Sequence, residues 1–395
     1  MNSAMPSSQS VPSRIYQLHH EPSLSEFEKL CSRKTNLKDC PSAATIQHNV
    51  PIYDLMSLSN GTLTVDRTSS LLDEWHYVLL SGPGVLVFKS MFEPSLTEEV
   101  NKVFRDIIAS EKSKTKGDHF AASGKNDRIW NSFGKHGLRD PSSFFSYYSN
   151  MWLSLISEAW LGPGYRITAQ VNIVKPGGQA QTSHRDYHLG FQTRAACSRF
   201  PRSMQVASQL LTLQGGIAHT NMPLESGPTR FLPFSQRFEE GYMAYHLPKF
   251  KEYFQNNYVS IPLQQGDAVF FNPALFHAAG ENKTDNFERS ANLVQISSAF
   301  GKPMEMIDTL PLILQTWDRL LSMYKEQGYS PQVQSLVSAV AEGYPFPTNL
   351  DNRPPAPGGM APESEQQLLL QGLKEAWTLE RIKSSLTKMR EDSRM

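Results

Sequence analysis

Between residues 200 and 300 the chain is a succession of short apolar runs, QVASQLLTLQGGIAH, SGPTRFLPF, VSIPL, GDAVFF and ANLVQIS, each bounded by glycine, proline or polar turn residues. Runs of this length and spacing predict the strands of a sandwich or barrel. A parallel, doubly wound sheet would instead alternate its strands with helix-length segments. Just upstream, Ile167, Ala169, Val171 and Ile173 alternate with Arg166, Thr168, Gln170 and Asn172, up to a Pro176-Gly177-Gly178 turn. A period of two puts successive side chains on opposite faces, so this segment is a strand with one polar face.

The flanks read as helical. GPGVLVFKSMF predicts a buried strand, and LTEEVNKVFRDII a helix with Leu96, Val100, Val103 and Ile107 on one stripe and Ser95 or Thr97 as its cap. One helix is predicted from about Ser142 to Leu161, ended by Gly162-Pro163-Gly164. After Gly301 a helix is expected from Met306 to about Gly328, and a last one from about Ser364. Residues 344–363 hold too many prolines and glycines for a regular element. The expected organisation is a flexible N-terminal arm over residues 1–45, a core unit over 46–300 and a helical C-terminal extension over 301–395.

Composition narrows the function classes. Thirty-eight basic residues balance thirty-eight acidic ones, which argues against nucleic acid as a partner. The three cysteines, Cys31, Cys40 and Cys197, form no close pair, so a disulfide framework or zinc ribbon is not expected and a reducing compartment fits. The polar N-terminus and the lack of a bilayer-length apolar run predict a chain neither secreted nor membrane-spanning.

His184-Arg185-Asp186 carries the first chemical signal. In an extended segment residues i and i+2 share a face, so His184 and Asp186 can offer a nitrogen and a carboxylate oxygen to one metal ion. Taken alone the pair is weak, and His19-His20-Glu21 is a second match of the same kind. GDAVFFNPALFHAAG delivers His277 downstream, and two histidines with one carboxylate form the facial triad that leaves positions open on non-haem Fe(II). Arg289 opens the run ending in ANLVQIS, where a buried guanidinium calls for a planar anion; the competing reading is a structural salt bridge.

The stretches QTSHRDYH, ESGPTRFLPFSQRF and GDAVFFNPALFHAAGEN, together with Arg289, resemble the phytanoyl-CoA dioxygenase family of Fe(II)- and 2-oxoglutarate-dependent oxygenases, over about residues 80 to 300. Phe234-Ser235-Gln236 departs from the Gly-Ser-His end of that family's loop, at a supporting turn rather than a ligand. The resemblance implies an α+β fold with a double-stranded β-helix core, a cupin-like jelly roll, flanked by helices. It implies iron bound by His184, Asp186 and His277, Arg289 on the far carboxylate of 2-oxoglutarate, and cosubstrate contacts from Gln170 and Asn172. Many relatives carry an aromatic residue where this chain has Leu213-Gln214-Gly215-Gly216. Tyr187, His188, Phe191 and His219 are candidates for the substrate cavity.

The expected activity is oxidation, by default hydroxylation, of a small-molecule or lipid-like acyl substrate with O2, releasing succinate and carbon dioxide. Desaturation, cyclisation or epimerisation would use the same centre, whereas the presence of Asp186 disfavours halogenation. The competing readings are a cupin-like isomerase or hydrolase using another metal, and a degenerate interaction module; Arg289 and the intact triad weigh against both. Ser393-Arg394-Met395 resembles a variant peroxisomal address, so the expected location is cytoplasmic or peroxisomal.

Overall fold

The short apolar runs become strands distributed between two sheets. The computed structural model describes residues 11–60, 63–111 and 126–394. Its strands are β1 (Thr45–Gln47), β2 (Val50–Asp54), β3 (Val85–Lys89), β4 (Asn126–Ile129), β5 (Arg166–Val174), β6 (Thr212–Ala218), β7 (Arg230–Phe231), β8 (Val259–Ser260), β9 (Ala268–Phe271), β10 (His277–Ala278) and β11 (Arg289–Ser297). The larger sheet runs β1-β2-β3-β9-β6-β11-β5-β4 and the smaller β10-β7-β8. Every pairing is antiparallel except β2 with β3. From β6 onward the chain passes repeatedly from one sheet to the other, the jelly-roll arrangement that the family resemblance implied.

Register decides which side chains meet. Leu293 lies opposite Gln170 on one side and Gly216 on the other, and Gln295 lies opposite Gln214. Gly216 continues the row to Val269, and Gln214 to Phe271. One face of the large sheet therefore carries Gln170, Asn172, Gln214, Gly216, Arg289, Leu293 and Gln295 toward the small sheet. The opposite face, with Val171, Ile217, Val294 and Ile296, joins a continuous apolar core with the helices that cover it.

Those helices differ in detail from the sequence expectation. The one expected from Ser142 to Leu161 is two, Pro141–Tyr148 and Met151–Leu161, because Asn150 caps the second by accepting from the amides of Trp152 and Leu153. The helix over Pro94–Glu111 starts before both suggested caps, and Thr97 sits inside its first turn, donating to the Pro94 carbonyl at 2.9 Å. Beyond the two sheets, helices Leu310–Gln327, Pro331–Val340, Glu365–Lys374 and Leu379–Asp392 add Trp317, Leu336, Leu369 and Leu386 to the same core. Proline-rich residues 344–363 contain no helix or strand.

At the other end, Ser23 caps the helix Leu24–Cys31 and Phe27 packs against Phe238, Phe250 and Phe276 with ring centroids 5.2, 5.0 and 4.9 Å apart. Residues 1–10 and Met395, which the expectations for the arm and the C-terminal tripeptide include, lie outside the described residues. Among the described residues no helix is long and apolar enough to cross a membrane.

Candidate metal centre

After β5 and its Pro-Gly-Gly turn, the chain runs back along β10. His184 and His277 form an antiparallel bridge in which each amide donates to the other's carbonyl, at 3.0 and 3.1 Å. This reciprocal pair brings together residues distant in sequence and sets their imidazoles 4.5 Å apart between ring centroids. Two residues on, the Asp186 amide donates to the Pro273 carbonyl at 2.8 Å. Its carboxylate thereby joins the two rings, with Oδ2 3.8 Å from His184 Nε2 and 3.6 Å from His277 Nε2.

The tautomers follow from the partners. His184 Nδ1 lies 2.9 Å from the Thr182 carbonyl and His277 Nδ1 2.8 Å from the Leu275 carbonyl. A carbonyl oxygen only accepts, so each Nδ1 carries a proton and Nε2 is the nitrogen that each ring turns toward the carboxylate. Burial pushes the Asp186 carboxyl toward the neutral form, but His184, His277 and a hydrogen bond from Gln214 outweigh it and hold its pKa well below the usual range. Burial lowers the His184 pKa, partly offset by Asp186, which keeps the imidazole in its neutral, ligating form.

Two imidazole nitrogens and one carboxylate oxygen, all within 4.8 Å of one another, fit a divalent ion of the non-haem iron type. The carbonyl bonds to both Nδ1 atoms are the outer contacts that orient such ligands. Among the described residues this is the one cluster of three or more such side chains with that geometry. His19-His20-Glu21 makes no comparable site: His20 pairs with Glu240 at 3.1 Å and Glu21 with Lys249 at 3.0 Å.

The triad opens into a cavity of about 560 Å³ between the sheets. Arg289, Gln170 and Asn172 all line it, so the polar face of β5 looks inward. Arg289 Nη1 donates to the carbonyls of Ser226 at 2.8 Å and Gly280 at 3.3 Å. Among the described residues no carboxylate pairs with it, so the salt-bridge reading finds no partner there, and burial lowers its pKa to about 10. A buried guanidinium whose partners are two carbonyls can still receive an anion. Gln170 Oε1 accepts from Arg128 at 3.1 Å, and Asn172 Oδ1 is buried without a protein partner.

Several residues escaped the sequence reading. Gln214 donates to Asp186 Oδ2 at 2.9 Å, the oxygen that faces both histidines. Gly216, where the sequence signalled a missing aromatic, opens the floor to a small apolar annex of about 30 Å³ beside Val87, Phe231, Ile261 and Leu263. Both follow from the pairing of β6 with β11, a register that no local pattern states.

Of the four substrate-cavity candidates, Phe191 lines the cavity, whereas Tyr187, His188 and His219 do not. His219 fails by parity: it is an odd step from Gln214 and Gly216, so it points to the outer face. There its Nδ1 meets Asn101 Oδ1 at 2.7 Å and its Nε2 the Tyr147 hydroxyl at 2.9 Å.

Comparison with known proteins adds the following. A model of the phytanoyl-CoA dioxygenase family matches residues 81–291. Dioxygenase trt7 of Aspergillus terreus is 25% identical over 260 residues, 60% of this chain and 80% of that protein. Dioxygenase andF of Emericella variicolor is 26% identical over 178 residues, 42% of this chain and 56% of its own length. Among solved structures, the non-heme alpha-ketoglutarate-dependent carbocyclase SnoK from nogalamycin biosynthesis is similar at 17% identity and a TM-score of 0.44, covering 59% of this chain and 86% of SnoK.

Proposed function

The chain belongs to the phytanoyl-CoA dioxygenase family and is a non-haem iron, 2-oxoglutarate-dependent dioxygenase; from that premise we propose that His184, Asp186 and His277 hold its iron and that Arg289, with Gln170 and Asn172, binds the cosubstrate. The observation that carries this reading is the convergence of two Nδ1-anchored histidines on one carboxylate oxygen, beside a buried arginine that has no carboxylate partner among the described residues. When bound, ferrous iron and 2-oxoglutarate together activate O2, the keto acid leaving as succinate and carbon dioxide.

The chain supplies placement. Arg289 clamps the distal carboxylate of the cosubstrate, and the carbonyls of Thr182 and Leu275 hold the two imidazoles at a fixed rotation. Gln214 steadies Asp186, and β6, β9 and β11 wall the cavity beside the reacting centre.

The cavity lining supports a finer reading of the substrate as a neutral, oxygen-bearing small molecule that is hydroxylated. Asn126, Gln170, Asn172, Gln181, Gln214 and Gln295 are carboxamides, able to donate and accept but carrying no charge. Arg128 and Arg289 are the only cations among the described lining residues, so the phosphates of an acyl-CoA ester would meet little opposite charge. We further propose that residues 46–300 form the catalytic unit, with 1–45 and 301–395 as an arm and a bracing extension.

Anaerobic addition of Fe(II) and 2-oxoglutarate is expected to give a visible charge-transfer band that His277→Ala abolishes. A wild-type protein loaded with iron but showing no band would refute the assignment. A panel of neutral oxygenated molecules and acyl-CoA esters, scored for succinate coupled to an oxygenated product, tests the substrate class. The peroxisomal reading requires the tail to come free, because Ser393 Oγ donates to the Met389 carbonyl at 2.7 Å and accepts from Arg353 at 2.8 Å. Import of a reporter carrying the native tail, lost when Ser393-Arg394-Met395 is removed, is the expected result; unchanged import would refute it.

A further inference from the structure

We propose that Arg185, the residue between His184 and Asp186, is a positioning residue that holds all three candidate metal ligands in register; the inference rests on the metal reading above. Alternation along the extended segment turns Arg185 away from the cavity while its neighbours face it. Its side chain is 1% exposed, and among the described residues no carboxylate pairs with it, its hydrogen-bond partners being backbone carbonyls. A buried guanidinium without an anion is retained only where other groups hold it, and the surrounding groups are unusually specific.

Nη2 donates to the backbone carbonyls of Ser235 at 2.7 Å and Phe238 at 2.9 Å, with Gln236 at 3.4 Å. The guanidinium carbon lies 5.1 Å from the Tyr242 ring centroid and 5.3 Å from that of Phe276. Gly241 leaves the slot open, for a Cβ there would stand 1.7 Å from the guanidinium carbon. The loop gripped in this way includes the stretch where the chain departs from its family's signature, Phe234-Ser235-Gln236.

Each candidate ligand is tied to that grip. His184 and Asp186 flank Arg185 covalently, and the Tyr242 hydroxyl donates to the Asp186 carbonyl at 3.2 Å. Ser235, whose carbonyl receives Arg185, accepts the Phe276 amide on its Oγ at 2.8 Å, while the Leu232 amide donates to the Phe276 carbonyl at 2.9 Å. Phe276 is the residue before His277. One side chain on the dry side of the segment therefore couples both arms of the metal centre through a shared loop, the role of outer contacts in metal sites.

The test uses Co(II) as a spectroscopic probe in the full chain, with thermal unfolding measured alongside. Arg185→Lys keeps the charge but loses the planar fork, and its Co(II) affinity is expected to fall about 10- to 100-fold while a cooperative unfolding transition remains. Arg185→Ala is expected to lose Co(II) affinity and regain it with methylguanidinium, which fits the vacated slot. Where Arg185→Ala does not fold, Gly241→Ala displaces the guanidinium with the charge retained and is expected to weaken Co(II) by a similar factor. A folded Arg185→Lys protein with wild-type Co(II) affinity overturns the proposal. So does methylguanidinium that restores thermal stability without restoring metal affinity, since that would make Arg185 structural only. A wild-type protein that takes up no Co(II) overturns the metal reading and this inference together, whereas normal wild-type binding with an unaffected variant overturns this inference alone.

Discussion

The two faces of β5, β6 and β11 bury polar side chains to a similar degree and use them in opposite ways. On the outer face, Asn292 Oδ1 accepts from Ser132 at 3.0 Å and its Nδ2 reaches the hydroxyls of Tyr147 and Tyr148 at 3.4 and 3.3 Å. Tyr147 meets His219, which meets Asn101, whose Nδ2 returns to the His219 carbonyl at 2.9 Å. On the cavity face, Asn172, Gln214 and Gln295 each leave a buried amide oxygen without a protein partner. Polar groups that satisfy one another rigidify a core, and those left unsatisfied cost stability unless something else bonds them. The contrast sets a self-bonded network against the proposed binding surface on the same strands.

The sharpest way to break that comparison is to remove a charge from the cavity face. Asp186→Ala is expected to reduce Fe(II)-dependent succinate formation to assay background while a cooperative unfolding transition remains. Loss of fold instead would make the triad structural.

On the outer face the expectation is reversed. His219→Leu leaves Asn101 Oδ1 and the Tyr147 hydroxyl proton without their His219 partner, at roughly 1–3 kcal/mol for each, so urea unfolding should show a loss of about 2–6 kcal/mol. Turnover per folded molecule should stay within about twofold; a large specific drop would place His219 in the site after all.

The outer face should also account for acid sensitivity. Burial, opposed by Asp140, lowers the His136 pKa to about 4. Burial, aided by His136 and opposed by Glu98, lowers that of His219 to about 3. Both are neutral in the folded protein and bind a proton on unfolding, so the stabilisation is complete above about pH 6.5 and declines as pH falls toward those values. Between pH 7 and 5 each is expected to remove about 2 kcal/mol from the unfolding free energy. His219→Leu should flatten that slope in urea titrations, and an unchanged slope would mean that other groups cause it.

Smaller effects sharpen the cavity side. Arg289→Lys is expected to raise the KM for 2-oxoglutarate roughly tenfold with metal affinity unchanged, because an ammonium cannot match the planar fork. Gln295→Met should leave stability unchanged or raise it by up to about 1 kcal/mol, since it removes an unpartnered oxygen, and should weaken substrate-stimulated succinate formation. A clear loss of stability would show that the Gln295 oxygen already has a structural role and erase the contrast between the faces.

Much of the candidate site was suggested by local pattern, although His-x-Asp alone was weak and the family resemblance, rather than spacing, implied the roles of its residues. The His-x-Asp alternation, a histidine after GDAVFF and an arginine opening β11 are patterns of residue type and spacing, and the strand containing Gln170 and Asn172 announced its polar face by period two. Gln214 was not legible, because its contact with Asp186 depends on how β6 registers against β11. Nor was the outward turn of His219, which one step of parity beyond Ala218 decides. The break at Asn150 shows the same limit in a helix: an apolar stripe can continue across a cap that interrupts the hydrogen bonds.

By itself the sequence determined that short strands would build two facing sheets, and that two imidazoles, a carboxylate and a guanidinium would be available at their edge, since alternation and residue chemistry need only near neighbours. Tertiary structure alone decided that His184 and His277 would share a reciprocal backbone bridge, that Arg185 would lodge against Gly241, and that one face of the sheet would bond to itself while the other stayed open. The reason is that those outcomes depend on pairing register and close packing between distant segments, quantities fixed only when the whole chain is folded.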